Sequence, residues 1–143
     1  MKTFLAFTLF FTTNLLAQPV PPVDTLHFAE GALKVELKWL LGPRTPAVSE
    51  MKMEWKNGTD QTRVEPPGPV KVTLWMPMHG HPGHNHGHPS SPVTLTKLGA
   101  EAGVYQASDM YFTMQGDWEV RVKLKYSNGR EETQVLTVHA ISK

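Results

Sequence analysis

The 143-residue chain contains no cysteine. That absence excludes disulfides, thiolate zinc sites, iron–sulfur clusters and cysteine nucleophiles together. The chain also has little excess charge: 14 Lys and Arg against 13 Asp and Glu leave a net +1. Nucleic-acid and anionic-membrane partners normally demand a basic excess, so neither is expected. No stretch shows sustained helical periodicity, and no run reaches the roughly 20 apolar residues of a membrane-spanning helix. There is no GxSxG, HExxH, Walker or dinucleotide-binding glycine pattern, and no suggestively framed carboxylate pair. No catalytic residues are predicted, and the chain does not read as an enzyme. What remains is 40% hydrophobic residues, enough for a packed core, in a length suited to one domain.

The first seventeen residues have the layout of a secretory signal peptide. Met1-Lys2 is a short positive start, Phe4 to Phe11 is apolar, and Thr12 to Ala17 ends in a small residue. Cleavage is expected after Ala17, which removes Lys2 and brings the formal charge to 0. No cysteine follows, so no lipoprotein anchor is expected, nor any membrane span after cleavage. The destination is periplasmic or secreted, where disulfides are available. This chain must hold its core without them. Residues 18–30 read as an extended Pro-rich leader, and 31–143 as the folded domain.

The domain reads as successive strands. Leu33, Val35, Leu37 and Trp39 alternate with charged residues, as do Met51, Met53 and Trp55. This period of two marks half-buried strands. A turn follows at Asn57-Gly58, then a short polar strand candidate at Gln61 to Glu65, ended by Pro66 to Pro69. Val70, Val72, Leu74 and Met76 share a face. Val93 to Leu98, Val104 to Ala107 and Met110 to Met114 are shorter candidates. Trp118, Val120, Val122, Leu124 and Tyr126 alternate cleanly, and Ser127-Asn128-Gly129-Arg130 suggests a type I′ hairpin turn. The last strand runs from about Glu132 to Ile141. The expected fold is all-β, an antiparallel immunoglobulin-like sandwich of about seven strands.

Five of the seven histidines fall within ten residues. Trp75 to Pro92 reads WMPMHGHPGHNHGHPSSP and supplies His79, His81, His84, His86 and His88. Imidazole is the commonest protein metal ligand and suits copper, nickel and zinc. Interleaved Gly and Pro forbid a helix and mark a loop. Such tracts are a compositional metal signal that does not specify the ion. A polar loop without a metal role is the competing reading. Met76 and Met78 precede the run, and thioethers favour Cu(I). They serve equally well as ligands or as strand-end packing. Met110 and Met114 share a face with Phe112, where core filling is the commoner role, and Met51 and Met53 read as core. If both methionine segments reach one pole of the sandwich, thioethers and imidazoles converge there. His27 and His139 read as poor site candidates.

Three marks carry a family resemblance. Trp75 to His81 (WMPMHGH), Gly103-Val104-Tyr105, and Phe112 to Val122 (FTMQGDWEVRV) together resemble YtkA-like and FixH-like domains over about 51–125. The resemblance implies a small exported or membrane-anchored β-sandwich with a role around copper handling or cytochrome oxidase maturation. It matches Met76, Met78, His79 and His81 to an MPxM/MxH segment, and Met114 to the Met of F-x-M-x-G-x-W. The stretch 82–89 departs from that pattern as an added His-rich insertion.

The functional expectation is an exported metal-binding protein that buffers, carries or senses its ion, with copper first and nickel or zinc as the other candidates. His79, His81, His84, His86, His88, Met76, Met78 and Met114 are the candidate ligands. A copper-handling or oxidase-assembly protein is the expected partner. The alternative is an interaction module linked to oxidase maturation, with the loop incidental. A redox metalloenzyme is disfavoured, because a flexible tract does not hold an open coordination position rigidly.

Overall fold

Alternation of apolar and charged residues builds the sheets. In β2 (Leu33–Leu41), the side chains of Leu33, Val35 and Leu37 are buried while Lys34, Glu36 and Lys38 lie on the other face. The same rhythm buries Met51, Met53 and Trp55 in β4 (Val48–Asn57) and Trp118, Val120, Val122 and Leu124 in β8 (Gly116–Lys125). A computed structural model describes residues 22–77 and 92–142. The other strands are β1 (Val23–Phe28), β3 (Arg44–Thr45), β5 (Val70–Trp75), β6 (Thr94–Lys97), β7 (Val104–Tyr111) and β9 (Glu131–Ser142).

They form two sheets, ordered β1-β2-β4-β7-β6 and β3-β9-β8-β5. Neighbours are antiparallel apart from the two-residue β3, which runs parallel to β9. Without β1, and with β3 treated as the end of the first strand switching sheets, the order is that of an immunoglobulin sandwich. β4 and β8 then occupy the strands that carry the disulfide in antibody domains. Here each carries a fully buried tryptophan, Trp55 and Trp118, in place of a cross-link. Trp55 packs on Phe28 at 5.2 Å between ring centroids, and Trp118 meets Phe112 edge-on at 5.5 Å.

Several details differ from the sequence reading. There are nine strands among the described residues. The expected leader 18–30 includes β1, because Leu26 and Phe28 turn inward while Thr25 and His27 do not. The polar stretch Gln61 to Glu65 is no strand and makes one bridge, Lys56 to Arg63. The segments at 104–107 and 110–114 form one strand through Tyr111, interrupted by a bulge. Ser49 pairs with Met110 and Met51 with Ala107, so Ser108 and Asp109 together oppose Glu50. Asp109 adopts φ 58° there, and its carboxylate accepts the Thr94 hydroxyl at 2.6 Å.

The turn at 127–130 is also different. Gly129 has positive φ and Asn128 does not, whereas type I′ requires both. The Gly129 N–H donates to the Tyr126 carbonyl, and the Tyr126 N–H to the Arg130 carbonyl. This is a type I turn closed by a glycine bulge.

Candidate metal site at one pole of the sandwich

The topology brings both ends of the His-rich segment to one pole. β5 ends at Trp75, opposite Glu119 near the start of β8. β6 begins at Thr94, opposite Ser108 near the end of β7. The short link from Tyr111 to Gly116 joins those two strand ends. Met76-Pro77 and Pro92-Val93 therefore flank the segment at the pole where β7 hands over to β8.

The F-x-M-x-G-x-W mark is built around that link. Phe112 and Trp118 are fully buried and anchor it from both sides. The Trp118 indole N–H donates to the Met114 carbonyl at 2.9 Å, fixing the turn. Met114 itself points outward and is 45% exposed. Gly116 adopts φ 129°, and a Cβ there would lie 3.0 Å from the Met76 Cε. The glycine thus lets the Met76 thioether lie against the start of β8. Two of the sequence marks touch at this point, and two methionines that are distant in sequence share one pole.

The G-x-Y mark is a structural clamp. Gly103 has φ 69°, and a Cβ on it would meet the Val64 carbonyl oxygen at 2.1 Å. Its N–H and the Lys97 ammonium each donate to Glu65 at 3.0 Å, and the Tyr105 hydroxyl donates to the same carboxylate. These three donors, the tyrosine foremost, hold the Glu65 pKa down at about 2. Burial and the facing carboxylate push Tyr105 up to about 12. Glu65, just before Pro66 to Pro69, is thus tied to β6 and to the start of β7 by the hydrogen bonds its carboxylate accepts.

Residues 40–123 match the YtkA-like domain family. The chain belongs to that family. No curated protein matches it. Among solved structures it is similar to a DUF4426 family protein of Pseudomonas aeruginosa PAO1. The two are 13% identical with a TM-score of 0.54, over 81% of this chain and 94% of that one. At that identity the likeness shows a shared sandwich fold and nothing of function.

Within this YtkA-like sandwich, the candidate ligands divide. Met76 and Met114 stand at the pole, the first packed against the core and the second exposed. Met78, His79, His81, His84, His86 and His88 lie outside the described residues. Met110, Met51 and Met53 are fully buried core. His27 faces Lys34, at the far end from the His-rich segment. His139 is an exposed strand residue with its ring hydrogen-bonded, in line with the sequence reading. It pairs across β8 and β9 with Asp117, and its Nδ1 lies 2.7 Å from the Asp117 carboxylate. Both are exposed, and the pair sits beside Gly116, at the pole of the two methionines. Among the described residues no three His, Asp or Glu side chains converge as a metal-holding group. No described helix is long and apolar enough to cross a membrane.

Proposed function

We propose that this YtkA-like protein is exported and binds copper at the pole from which the His-rich segment springs, buffering, carrying or sensing the ion rather than turning over a substrate. The observation that carries the reading is the shared pole. The five histidines between residues 79 and 88 are flanked by stems that emerge beside Met76 and Met114. The donor chemistry fits copper in both oxidation states. Clustered imidazoles suit Cu(II), and thioethers suit Cu(I). Nickel and zinc share the imidazole preference but gain nothing from the methionines. Asp117 engages Nδ1 of the exposed His139, so Nε2 takes no part in that bond, and a carboxylate on the other ring nitrogen is the usual partner of a metal-ligating histidine. A signal peptide over 1–17 supports delivery to the periplasm or outside the cell. A copper-handling or oxidase-assembly protein is the fitting partner.

Isothermal titration tests this reading. Wild type is compared with a variant carrying alanine at His79, His81, His84, His86 and His88, using Cu(I), Cu(II), Ni(II) and Zn(II) in turn. Copper is expected to bind wild type most tightly and to lose most of its affinity in the variant. Equal copper affinity in both proteins overturns the assignment.

A further inference from the structure

β5, whose last residue Trp75 reaches the pole, is the outermost strand of its sheet and is hydrogen-bonded to β8 alone among the described residues. The Lys125 N–H donates to the Pro69 carbonyl at 3.0 Å, which sets the alternation. Residues 71, 73 and 75 turn their backbone groups toward β8. Val70, Val72 and Leu74 turn their N–H and C=O groups outward, to the open edge. Natural edge strands are commonly closed by proline, a bulge, very short length or charged side chains, and of these β5 has only the exposed Lys71. β5 has six residues in unbroken register, with no bulge and no proline inside it.

The solvent face beside this edge is a cleft of about 410 Å³. Lys71, Thr73 and Trp75 line it from β5, Arg121 and Lys123 from β8, and Thr133 from β9. No carboxylate is among the described residues that line the cleft, but two at its rim pair with its cations. Glu119 takes Arg121 at 2.6 Å and Glu131 takes Lys123 at 3.0 Å. Lys71 makes no ion pair among the described residues, although it stands directly opposite Lys123. Glu131 already neutralises Lys123, so Lys71 is the member of this like-charged pair that a carboxylate from outside would satisfy. Thr73 is the short side chain between Lys71 and Trp75, and it faces Arg121 across the strands. The Arg121 guanidinium lies over the Trp75 ring at 4.5 Å, which fixes its position.

We propose that β5 is a docking edge for an extended acidic segment of a partner protein. The segment adds to the sheet as a further strand through the outward backbone groups of Val70, Val72 and Leu74. A carboxylate of the segment meets Lys71, the cation of this cleft that has no ion pair among the described residues. Main-chain pairing supplies affinity and the cationic cleft supplies selectivity, the usual division in strand addition. The proposal does not depend on metal binding, although Trp75 at the end of β5 adjoins Met76 at the pole.

A fluorescent six-residue peptide alternating Val and Glu is the probe, read by anisotropy with the full chain in a chelating buffer. Saturable binding is expected, weakening at least tenfold in Lys71→Glu and with Gln in place of Glu in the peptide. Peptide binding is expected to slow amide exchange at Val70, Val72 and Leu74. The alanine variant of the His79 to His88 tract is expected to bind like wild type. Lys71 is exposed, and an unchanged thermal transition in Lys71→Glu confirms that its fold persists. No binding to wild type, equal affinity in Lys71→Glu, or protection confined to other strands each overturns the proposal. So does free citrate displacing the peptide at equal concentration, which would reduce the cleft to a small-anion site.

Discussion

Glu65 accepts hydrogen bonds from Tyr105, Gly103 and Lys97, and so its carboxylate is favoured in the folded chain. Its folded pKa of about 2 lies below the ordinary value of 4.5. A depressed folded pKa contributes stability that is present above about pH 4.5 and lost as pH falls toward 2. Thermal melts of wild type and Glu65→Gln are therefore expected to differ at pH 7 and to converge on acidification toward pH 2. Gly103 is the second decisive residue of this clamp. Its positive φ and its contact with the Val64 carbonyl leave no room for a methyl group. Gly103→Ala is expected to cost about 2–4 kcal/mol in urea unfolding. In the sequence, Gly103 is visible only as a family mark, and Tyr105 also within the strand candidate Val104 to Ala107. Their partner Glu65 was read as part of a strand. A lone carboxylate gives no sequence signal that three donors from distant segments will surround it.

At the scale of elements, strand positions were legible wherever one face is buried, because alternation follows directly from the pleat. β2, β4 and β8 show this plainly. β1 was hidden by its neighbourhood: the Pro-rich 18–22 stretch suggested a leader, although Leu26 and Phe28 already alternated. β7 reads as two segments in the sequence because its bulge at Ser108-Asp109 breaks the period and turns both Ala107 and Met110 inward. The Asn-Gly pair signalled a turn but not its type, since a glycine bulge and a type I′ turn share that dipeptide. The two buried tryptophans allow a comparison between strands. Trp118 donates to the Met114 carbonyl, whereas the Trp55 indole nitrogen has no hydrogen-bond partner among the described residues. Replacing an unpaired donor removes a desolvation cost, while removing a paired one leaves its acceptor bare. Trp118→Phe is thus expected to destabilise more than Trp55→Phe by about 1 kcal/mol or more, measured by urea unfolding.

At the scale of the whole molecule, sequence alone could not say whether the methionines beside the His tract and those near Phe112 meet. The sandwich order decides it. β5 and β8 are paired, β6 and β7 are paired, and the Phe112 to Gln115 link joins the two at one pole. Met76 and Met114 arrive there, and Met110 does not, because the bulge sends it into the core. Thioethers matter most to the reduced ion. The double variant Met76→Leu, Met114→Leu is expected to lose Cu(I) affinity in competition with a chromogenic chelator while keeping its Cu(II) affinity. An unchanged Cu(I) affinity would confine the site to the histidines. The most direct test of copper binding is the metal content of the protein purified from the cells that make it, without added metal. The account predicts copper bound to the wild-type chain and lost when His79, His81, His84, His86 and His88 are replaced by alanine. A wild-type protein without copper, or a variant that retains it in full, would contradict the account.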